Sequence, residues 1–419
     1  MPAAAGREDA MSGTENMPAS ATTLPEDGSY AQWVRGALAK ARAHDGQAVS
    51  LFESSVPEPR ELLRTTVLAA VEPCFSRFYV SAFGDGNPLV RDMLAERYAV
   101  QRDQVLCTTG ATGGLSLIYR TFLAPGDHVL IETPGFDLFR HLAEASGAVV
   151  DTFQRSGDRF AIDVVEIEAM LRPETRLIVL SDLHNPSGMA LSEDTMRALA
   201  ALAERRGVLL VVDEVYRDYT PEQRRPPAAA TLSPAVISLS SLTKIYGLGV
   251  LRCGWIVGAM DVVERLRQLN GRIEFGISTL SHAIAGHVLA DSSPFDQHSR
   301  GYVAQCRPRF QAWFDTMVAE GLMAGVLPEE GCICFPSLPG IADTRAFSEW
   351  LILRSGVIVA PGEYFGAPGH VRIGFCQEDD KLDAGLRGLE DGLRAFTRQS
   401  RASAALSRSA THAGAVGQS

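Results

Sequence analysis

Residues 238–255 form the segment SLSSLTKIYGLGVLRCGW, in which an apolar run is followed by a lysine, a glycine-rich stretch and an arginine. Ser241 lies three residues before Lys244, and Arg252 lies eight residues after it. A lone lysine after an apolar strand is usually a solvated strand end. Here the nearby glycines allow another group to approach the backbone closely, because glycine has no side chain to obstruct it. Lys244 is therefore a candidate reactive amine with a hydroxyl and a guanidinium close by.

The residues around this segment show a regular pattern, in which short apolar runs alternate with amphipathic helical patterns between about residues 100 and 260. Strand, helix, strand alternation predicts an α/β fold with a mostly parallel, helix-flanked sheet. Runs that are apolar throughout are typical of strands buried on both faces. The predicted strands cover residues 104–107, 128–132, 177–181, 208–212, 235–239 and 254–258, and the predicted helices include 113–122, 136–145, 164–171 and 193–205.

The pattern changes after about residue 295, where helices and isolated strands predict a separate α+β unit. The segment before the main sheet is expected to pack with this unit, so that both chain ends build one smaller domain. Small and polar residues dominate both termini, which favours disorder there. We predict a disordered tail at 1–28, the small domain from 29–80 and 296–398, the large domain at 81–295, and a second disordered tail at 399–419.

Composition limits the partners of the chain. A formal net charge of -11 leaves no basic surface for nucleic acid or for an anionic membrane. No stretch approaches the roughly 18 apolar residues needed to span a bilayer, and no signal peptide is evident. The seven cysteines lie mostly in apolar runs and lack zinc-like spacing, so we expect buried free thiols and no metal site. A cytoplasmic protein is predicted.

A second polar cluster ends an apolar run at residues 211–216, VVDEVY. An aspartate and a tyrosine three positions apart are common by chance. At a buried strand end, however, Asp213 needs a cationic partner, because an unpaired buried carboxylate is costly. It precedes Lys244 by 31 positions (244 minus 213). Asp213 and Tyr216 therefore join Lys244 as candidate site residues.

These two segments together resemble the fold-type I pyridoxal phosphate (PLP) enzymes, the aspartate aminotransferase superfamily with its class I/II aminotransferases. The resemblance covers about residues 30–398 and implies pyridoxal 5'-phosphate held as a Schiff base on Lys244. It implies that Asp213 keeps the pyridine nitrogen protonated, so that the ring can accept electrons. Tyr216 would donate a hydrogen bond to the phenolate oxygen of the cofactor.

Three further segments fit the same resemblance. In HNPSG, residues 184–188, the family uses the asparagine at the phenolate oxygen, so Asn185 inherits that role and a place beside the substrate. As plain sequence, the segment is also simply a good turn. Residues 109–114, TGATGG, open a helix whose N–H groups favour an anion, and Gly110, Ala111 and Thr112 would hold the phosphate with Ser241 and Arg252. Phe136 would cover the pyridine face, unless it is only a core aromatic.

The substrate residues come from the two ends of the chain. Burying the arginine of GHVRIGF, residues 369–375, is expensive without an anion, and the family uses the matching Arg372 to clamp the substrate α-carboxylate. Serine, represented by Ser55, replaces a family glycine that lines the substrate pocket. A tyrosine that reaches the phosphate of the partner subunit has no clean match, since either Tyr79 or Phe83 could hold that position.

The residues above favour an aminotransferase with an amino acid and a 2-oxo acid as substrates, acting in amino-acid metabolism or biosynthesis. The same residues also support PLP-dependent β/γ-elimination, replacement or cyclisation, because pocket residues decide which reaction follows. A PLP-sensing transcription regulator is the least favoured alternative, since it needs a DNA-binding domain and only about 28 residues precede the fold. The resemblance also implies a homodimer with its active sites at the interface.

Overall fold

The structure is a computed structural model that describes residues 28–44, 46–80, 86–274 and 276–415, with side chains described as far as residue 398. Its α-helices, numbered in chain order, are α1 Tyr30–Ala41, α2 Arg60–Val71, α3 Pro88–Tyr98, α4 Gly110–Phe122, α5 Asp137–Ala145, α6 Val164–Met170, α7 Glu193–Arg206, α8 Thr243–Tyr246, α9 Met260–Ile273, α10 Thr279–Ala290, α11 Ser293–Ala319, α12 Thr344–Ser355 and α13 Asp379–Ala415. Its strands are β1 Val49–Ser50, β2 Val105–Thr109, β3 His128–Thr133, β4 Val149–Gln154, β5 Thr175–Ser181, β6 Leu209–Asp213, β7 Val236–Ser241, β8 Cys253–Val257, β9 Ile333–Cys334, β10 Val357–Ile358, β11 Ala360–Pro361 and β12 Val371–Gly374.

The central sheet has seven strands in the order β2-β8-β7-β6-β5-β3-β4. β8 runs antiparallel to its neighbours β2 and β7, and the other pairs are parallel. The prediction of a mostly parallel sheet within an α/β fold is confirmed. β4 was not predicted, because its burial pattern is mostly partial and its sequence VVDTFQ lacks a continuous apolar run.

Helices cover both faces of this sheet, as predicted. Along β6 the side chain of Val211 packs into one apolar cluster with α4, α5 and α9, whereas Leu210 and Val212 pack into another with α6 and α7. Successive side chains of a strand point to opposite faces, so a strand between two helical layers must be apolar at every position. This explains why the strands could be recognised as unbroken apolar runs.

The remaining strands connect the two ends of the chain. β1 pairs in parallel with β10, and β12 lies between β11 and β9 in an antiparallel sheet. α1 packs on α12, but α2 packs on α10, which also packs on α3. The segment 29–80, predicted to join the small domain, is therefore divided, with its first part on the C-terminal unit and α2 beside helices of the large unit.

The C-terminal tail differs from its prediction. α13 extends from Asp379 to Ala415, so most of the stretch 399–419 that was expected to lack structure is helical. Alanine and arginine are frequent in this stretch, and both favour helix even where no apolar periodicity is present. The predicted tail at 1–28 lies almost wholly outside the described residues. Within the described residues, no helix is both long enough and apolar enough to cross a membrane.

Candidate active site

The predicted site residues meet at the carboxyl ends of the parallel strands, where open α/β sheets bind ligands. Asp213 is the last residue of β6, and Asn185 and Lys244 follow β5 and β7, the neighbours of β6 in the sheet. They open onto a cavity of about 310 Å³. The other predicted residues that line this cavity are Ala111, Thr112, Phe136, Tyr216, Ser241, Arg252 and Arg372.

Lys244 lies in the short helix α8 directly after β7, and its amine points into the cavity. Its Nζ donates a hydrogen bond to Ser54 Oγ at 2.9 Å. Burial lowers the pKa of Lys244, and the nearby charge of Arg372 lowers it further. A buried amine with a lowered pKa is more readily neutral, which is the form that acts as a nucleophile or base.

Lys244 differs from the other lysines of the chain. The sequence has three lysines, Lys40, Lys244 and Lys381. Lys40 and Lys381 are on the surface with exposed fractions of 45% and 53%, and each forms an ion pair with a glutamate. Lys244 is therefore the lysine of this chain that lines the active-site cavity.

Asp213 ends β6 with its carboxylate at the base of the cavity. The backbone N–H of Val215 donates to Asp213 Oδ1 at 3.2 Å. Burial raises the pKa of Asp213 to about 6, although that hydrogen bond and the charge of Lys244 both lower it. No described cation lies within ion-pair distance of this carboxylate. A protonated ring nitrogen would supply the missing positive charge.

The hydroxyl of Tyr216 is buried and forms no hydrogen bond of good geometry with the described residues, although Ser54 lies close enough to lower its pKa. Burial raises the pKa of Tyr216, so the phenol remains a donor at neutral pH. The Tyr216 ring centroid lies 5.9 Å from Lys244 Nζ. A buried donor without a partner fits an acceptor oxygen on a group bound at Lys244.

A cradle for an anion lies where α4 begins. A Cβ atom on Gly110 would lie 2.4 Å from Arg252 Nη2, and one on Gly254 would lie 2.4 Å from the carbonyl carbon of Gly110. Only glycine permits these approaches. Arg252 itself has a left-handed backbone with φ of 48°, a conformation that costs about 1–2 kcal/mol for a residue with a side chain.

The cradle gathers the groups that a phosphate needs. The guanidinium of Arg252, the hydroxyl of Ser241 and the first residues of α4, including Ala111 and Thr112, line the same cavity wall. Free N–H groups and the dipole at a helix N-terminus favour negative charge. Together with Asp213 and Tyr216, these residues fit PLP, whose ring nitrogen, phenolate oxygen and phosphate each find a complementary group.

Arg372 in β12 forms the opposite wall and is almost completely buried, with 1% of its surface exposed. Its Nη1 donates to Asn185 Oδ1 at 2.8 Å, and its Nη2 donates to the Phe52 carbonyl at 3.0 Å and to the Tyr30 hydroxyl at 2.5 Å. The guanidinium also lies 4.9 Å from the ring centroid of Phe365. These contacts hold the guanidinium plane in one orientation beside Asn185.

One predicted residue needs correction. Ser55 does not line the active-site cavity but lies in a neighbouring cleft. Ser54 takes its place, because Ser54 is buried and its hydroxyl meets Lys244. A shift of one residue in an irregular segment turns a side chain away from the site, and the sequence pattern did not determine this register.

Several residues at the site were not predicted. Tyr30, Glu53 and Ser54 line the cavity and come from the N-terminal segment, which lacks a recognisable motif. The only available signal was the cluster of aromatic and polar residues around 30 and 52–55. For the cross-subunit position, Phe83 lies outside the described residues, and Tyr79 stacks on Phe75 with ring centroids 4.1 Å apart.

Comparison with known proteins agrees with this geometry. The family model for aminotransferase class I and II matches residues 78–389. Relatives include the arginine–pyruvate transaminase AruH of Pseudomonas aeruginosa, 28% identical over 87% of this chain and 94% of the relative. The capreomycidine synthase of Streptomyces vinaceus is 29% identical over 75% of this chain and 80% of the relative.

Solved structures share the fold. A mutant of the Thermus thermophilus aspartate aminotransferase superposes with a TM-score of 0.77 at 22% identity, covering 88% of this chain and 97% of that structure. An aminotransferase from Mycobacterium tuberculosis superposes with a TM-score of 0.75 at 24% identity, over 87% and 96%. The chain therefore belongs to the class I and II aminotransferases, which use PLP to transfer an amino group between an amino acid and a 2-oxo acid.

Proposed function

We propose that this chain performs its amino transfer with PLP bound covalently to Lys244. The observation that carries this proposal is the partly buried Lys244 amine, which shares one cavity with an unpaired carboxylate at Asp213 and an anion cradle at Arg252. When bound, PLP withdraws electrons from the α-carbon of an attached amino acid, so that its α-hydrogen can leave as a proton.

Three groups hold the cofactor in this proposal. Asp213 stabilises the protonated ring nitrogen, Tyr216 donates to the phenolate oxygen, and Arg252 pairs with the phosphate. Gly110, Ala111, Thr112 and Ser241 complete the phosphate site, and Phe136 covers one face of the ring. Each role uses a group that lines the cavity or, for Gly110, the backbone beside Arg252.

Lys244 has a second role once the substrate has displaced it. Its amine would then act as a base that takes the α-proton of the donor and delivers it to a carbon of the cofactor. The hydroxyl of Ser54 accepts a hydrogen bond from this amine and keeps it directed into the cavity. Water would supply the carbonyl oxygen with which the donor leaves as a 2-oxo acid, and the amino group would stay on the cofactor until the acceptor 2-oxo acid takes it up in the reverse sequence.

Arg372 orients the substrate. Its guanidinium and the side chain of Asn185 lie together at the wall opposite the cradle. A bidentate pair with the α-carboxylate would fix the α-hydrogen toward Lys244. Because Arg372 is buried, an anion that binds there is shielded from water, which strengthens the pairing.

The finer assignments follow the family resemblance. We place the enzyme in the cytoplasm as a homodimer with its active sites at the interface, and in amino-acid biosynthesis or metabolism. The names of the relatives span arginine, aspartate, prephenate, N-acetyl-LL-diaminopimelate and histidinol phosphate, so they do not select a donor. A cleft of about 650 Å³ beside the cavity leaves room for residues of a second subunit.

An eliminating, replacing or cyclising enzyme is the second candidate. It is favoured by one relative, capreomycidine synthase, whose name is not that of an aminotransferase. The cofactor residues of this chain serve either reaction, since they act before the two reactions diverge.

A single-turnover experiment separates the two candidates. Purified enzyme loaded with PLP is mixed with an amino acid in the absence of any 2-oxo acid. An aminotransferase forms one equivalent of 2-oxo acid per active site and then stops, without releasing ammonia. Continuous release of ammonia would instead identify elimination, and consumption of the amino acid without formation of a 2-oxo acid would identify replacement or cyclisation. Either result would contradict the first proposal.

The attachment to Lys244 has its own test. Borohydride reduction of the loaded enzyme followed by peptide mass spectrometry should find the cofactor on the peptide of Lys244. Because the chain has only three lysines, the alternatives are Lys40 and Lys381. Labelling of either of these, with Lys244 unmodified, would overturn the assignment.

A further inference from the structure

Glu53 places a negative charge at the substrate side of the active-site cavity. It lies between Phe52, whose carbonyl accepts a hydrogen bond from Arg372, and Ser54, whose hydroxyl accepts one from Lys244. The backbone carbonyl of Glu53 packs tightly against Gly374, where a Cβ atom would lie only 1.6 Å from it. The glutamate backbone is therefore fixed while its side chain lines the cavity.

The carboxylate of Glu53 has no partner. The residue is exposed, and its side chain forms no hydrogen bond or ion pair with any residue that the structure describes. Its charge nevertheless acts on Tyr30, where it adds to the rise in pKa caused by burial, and on Lys244, where it opposes the fall in pKa caused by burial and Arg372. It is thus an unneutralised anion within electrostatic reach of the reacting amine.

The neighbouring cleft provides a contrast. Glu53 lines both this cleft and the active-site cavity, so it stands where the two meet. The other glutamates that line the cleft each have a cation nearby, in the pairs Glu58–Arg60 at 3.9 Å, Glu61–Arg64 at 3.2 Å and Glu378–Lys381 at 2.9 Å. Glu53 differs from them in position and in lacking a cation.

The cations of the cavity wall already have roles. Among the described lining residues, the positively charged ones are Lys244, Arg252 and Arg372. The proposed function assigns them to the reaction, the phosphate and the α-carboxylate. A second carboxylate on a substrate would find no free cation on this wall and would instead face Glu53.

A nearby acid, Asp137, is already occupied. Its Oδ2 accepts a hydrogen bond from the backbone N–H of Tyr30 at 2.7 Å and lies 3.4 Å from His141 Nε2. Glu53 therefore remains as the carboxylate available to a substrate side chain. Glu53 lines both the active-site cavity and the neighbouring cleft, so it is within reach of a side chain that extends from one to the other.

We propose that Glu53 binds the positively charged end of the donor side chain, so that the preferred donors are amino acids bearing a guanidinium or an ammonium group. This inference rests on the proposed function, because it places the donor's α-carboxylate on Arg372. Opposite charges at the rim of a binding cavity strengthen binding, and like charges oppose it. Glutamate and aspartate are accordingly poor donors.

The test compares L-arginine with L-citrulline, its uncharged isostere, in the single-turnover assay with PLP-loaded enzyme. The kcat/KM of the half reaction should be higher for arginine by about 10-fold or more, because a close pair of opposite charges contributes that much to binding. The Glu53→Gln variant should lower the value for arginine by about 10-fold and leave citrulline within about 2-fold. Raising the salt concentration should weaken arginine binding in the wild type only.

Two further variants test whether the charge of Glu53 itself causes the preference. Glu61→Gln removes a paired carboxylate from the neighbouring cleft and should leave both substrates unchanged. Glu53→Arg should reverse the preference toward L-glutamate. Cofactor absorbance and circular dichroism of each variant show that it is folded and loaded.

Equal kcat/KM values for arginine and citrulline in the wild type would overturn the inference. An equal fall in kcat/KM for both substrates in Glu53→Gln would also overturn it. In either case transamination itself would still occur. Failure of every amino acid to yield one equivalent of 2-oxo acid would instead overturn the proposed function. The two failures are thus distinguishable in one assay. A wild-type preference for glutamate would also overturn the role of Glu53.

Discussion

The two walls of the active-site cavity are built differently. The cofactor wall takes Asp213, Ser241 and Lys244 from neighbouring strand ends of one sheet, and they lie within a short part of the chain. The substrate wall takes Tyr30, Phe52 and Arg372 from opposite ends of the chain, with Arg372 bonded to partners 342 and 320 residues away.

The walls also differ in how their polar groups are satisfied. On the cofactor wall, the carboxylate of Asp213 has no cation and the hydroxyl of Tyr216 has no well-formed hydrogen bond. On the substrate wall, the guanidinium of Arg372 already donates to three oxygens. The first wall thus lacks partners for two of its polar groups. On the second wall the two terminal nitrogens of Arg372 are already held by the protein, although its Nε is buried without a partner. Substitutions on the two walls should have different consequences.

The largest effect is expected on the cofactor wall from Lys244→Ala. Removing the amine removes both the attachment of PLP and the base, so the single-turnover rate should fall at least about 10³-fold. Borohydride should then leave no covalent adduct. Lys40→Ala, which removes a surface lysine, serves as the control and should retain full activity. A Lys244→Ala variant with more than a tenth of the wild-type rate would contradict the proposed role.

On the substrate wall, Arg372→Lys keeps the charge but loses the planar fork that grips a carboxylate. The kcat/KM should fall about 10²-fold, mainly through KM, because lysine is a point charge and cannot reproduce a bidentate pair. The absorbance of bound PLP should be unchanged, which separates the two walls. Arg265→Lys, at an exposed arginine near Phe122, is the matched control. Loss of PLP binding in Arg372→Lys would show that the substrate wall and the cofactor wall do not act independently.

The unpaired carboxylate of Asp213 should make the cofactor-free protein sensitive to pH. Its pKa is about 6 in the folded protein and about 3.9 in an unfolded chain. The folded state therefore binds more protons between these values, and its stability falls as pH rises from about 4 to 6. After discounting for the open cavity, Asp213→Asn should stabilise cofactor-free protein by about 1–2 kcal/mol at pH 8 and by nothing at pH 4.

Denaturant unfolding across this pH range measures the effect. Asp218 supplies a control of opposite sign. Burial raises the pKa of Asp218, but the arginines Arg97, Arg225 and Arg217 outweigh this and lower it. Asp218→Asn should therefore destabilise the protein at neutral pH, with the loss shrinking as pH falls. A pH-independent difference between Asp213→Asn and wild type would show that the carboxylate is not strained by burial.

The smallest effect is expected from Tyr30→Phe. The change removes one acceptor of Arg372 Nη2 while the Phe52 carbonyl remains. A net hydrogen bond contributes about 1 kcal/mol, so KM should rise about 2–5-fold with kcat within about 2-fold. Steady-state kinetics with one donor measures both values. A fall in kcat with unchanged KM would place Tyr30 in the chemical step instead.

The sequence alone determined the cofactor wall. Lys244 and Asp213 could be recognised because each lies at the end of a largely apolar strand, in a spacing that resembles the class I and II aminotransferases, and neighbouring strands bring such ends to one edge of the sheet. The local spacing of Ser241, Lys244 and Arg252 also indicated a cofactor site at this edge of the sheet. The mostly parallel α/β fold followed from the same periodicity.

Apart from Arg372, which the sequence predicted, only the tertiary structure decided the substrate wall. Ser54 rather than Ser55 meets Lys244, a contact across 190 residues, and Tyr30 and Glu53 reach the cavity because the N-terminal segment packs on β12 and β10. These contacts depend on how distant segments pack, and no periodicity within a short window encodes that register. The residues that would bind the cofactor can therefore be recognised from short local segments of the sequence. The residues that would select the substrate come together only when the two ends of the chain pack against each other.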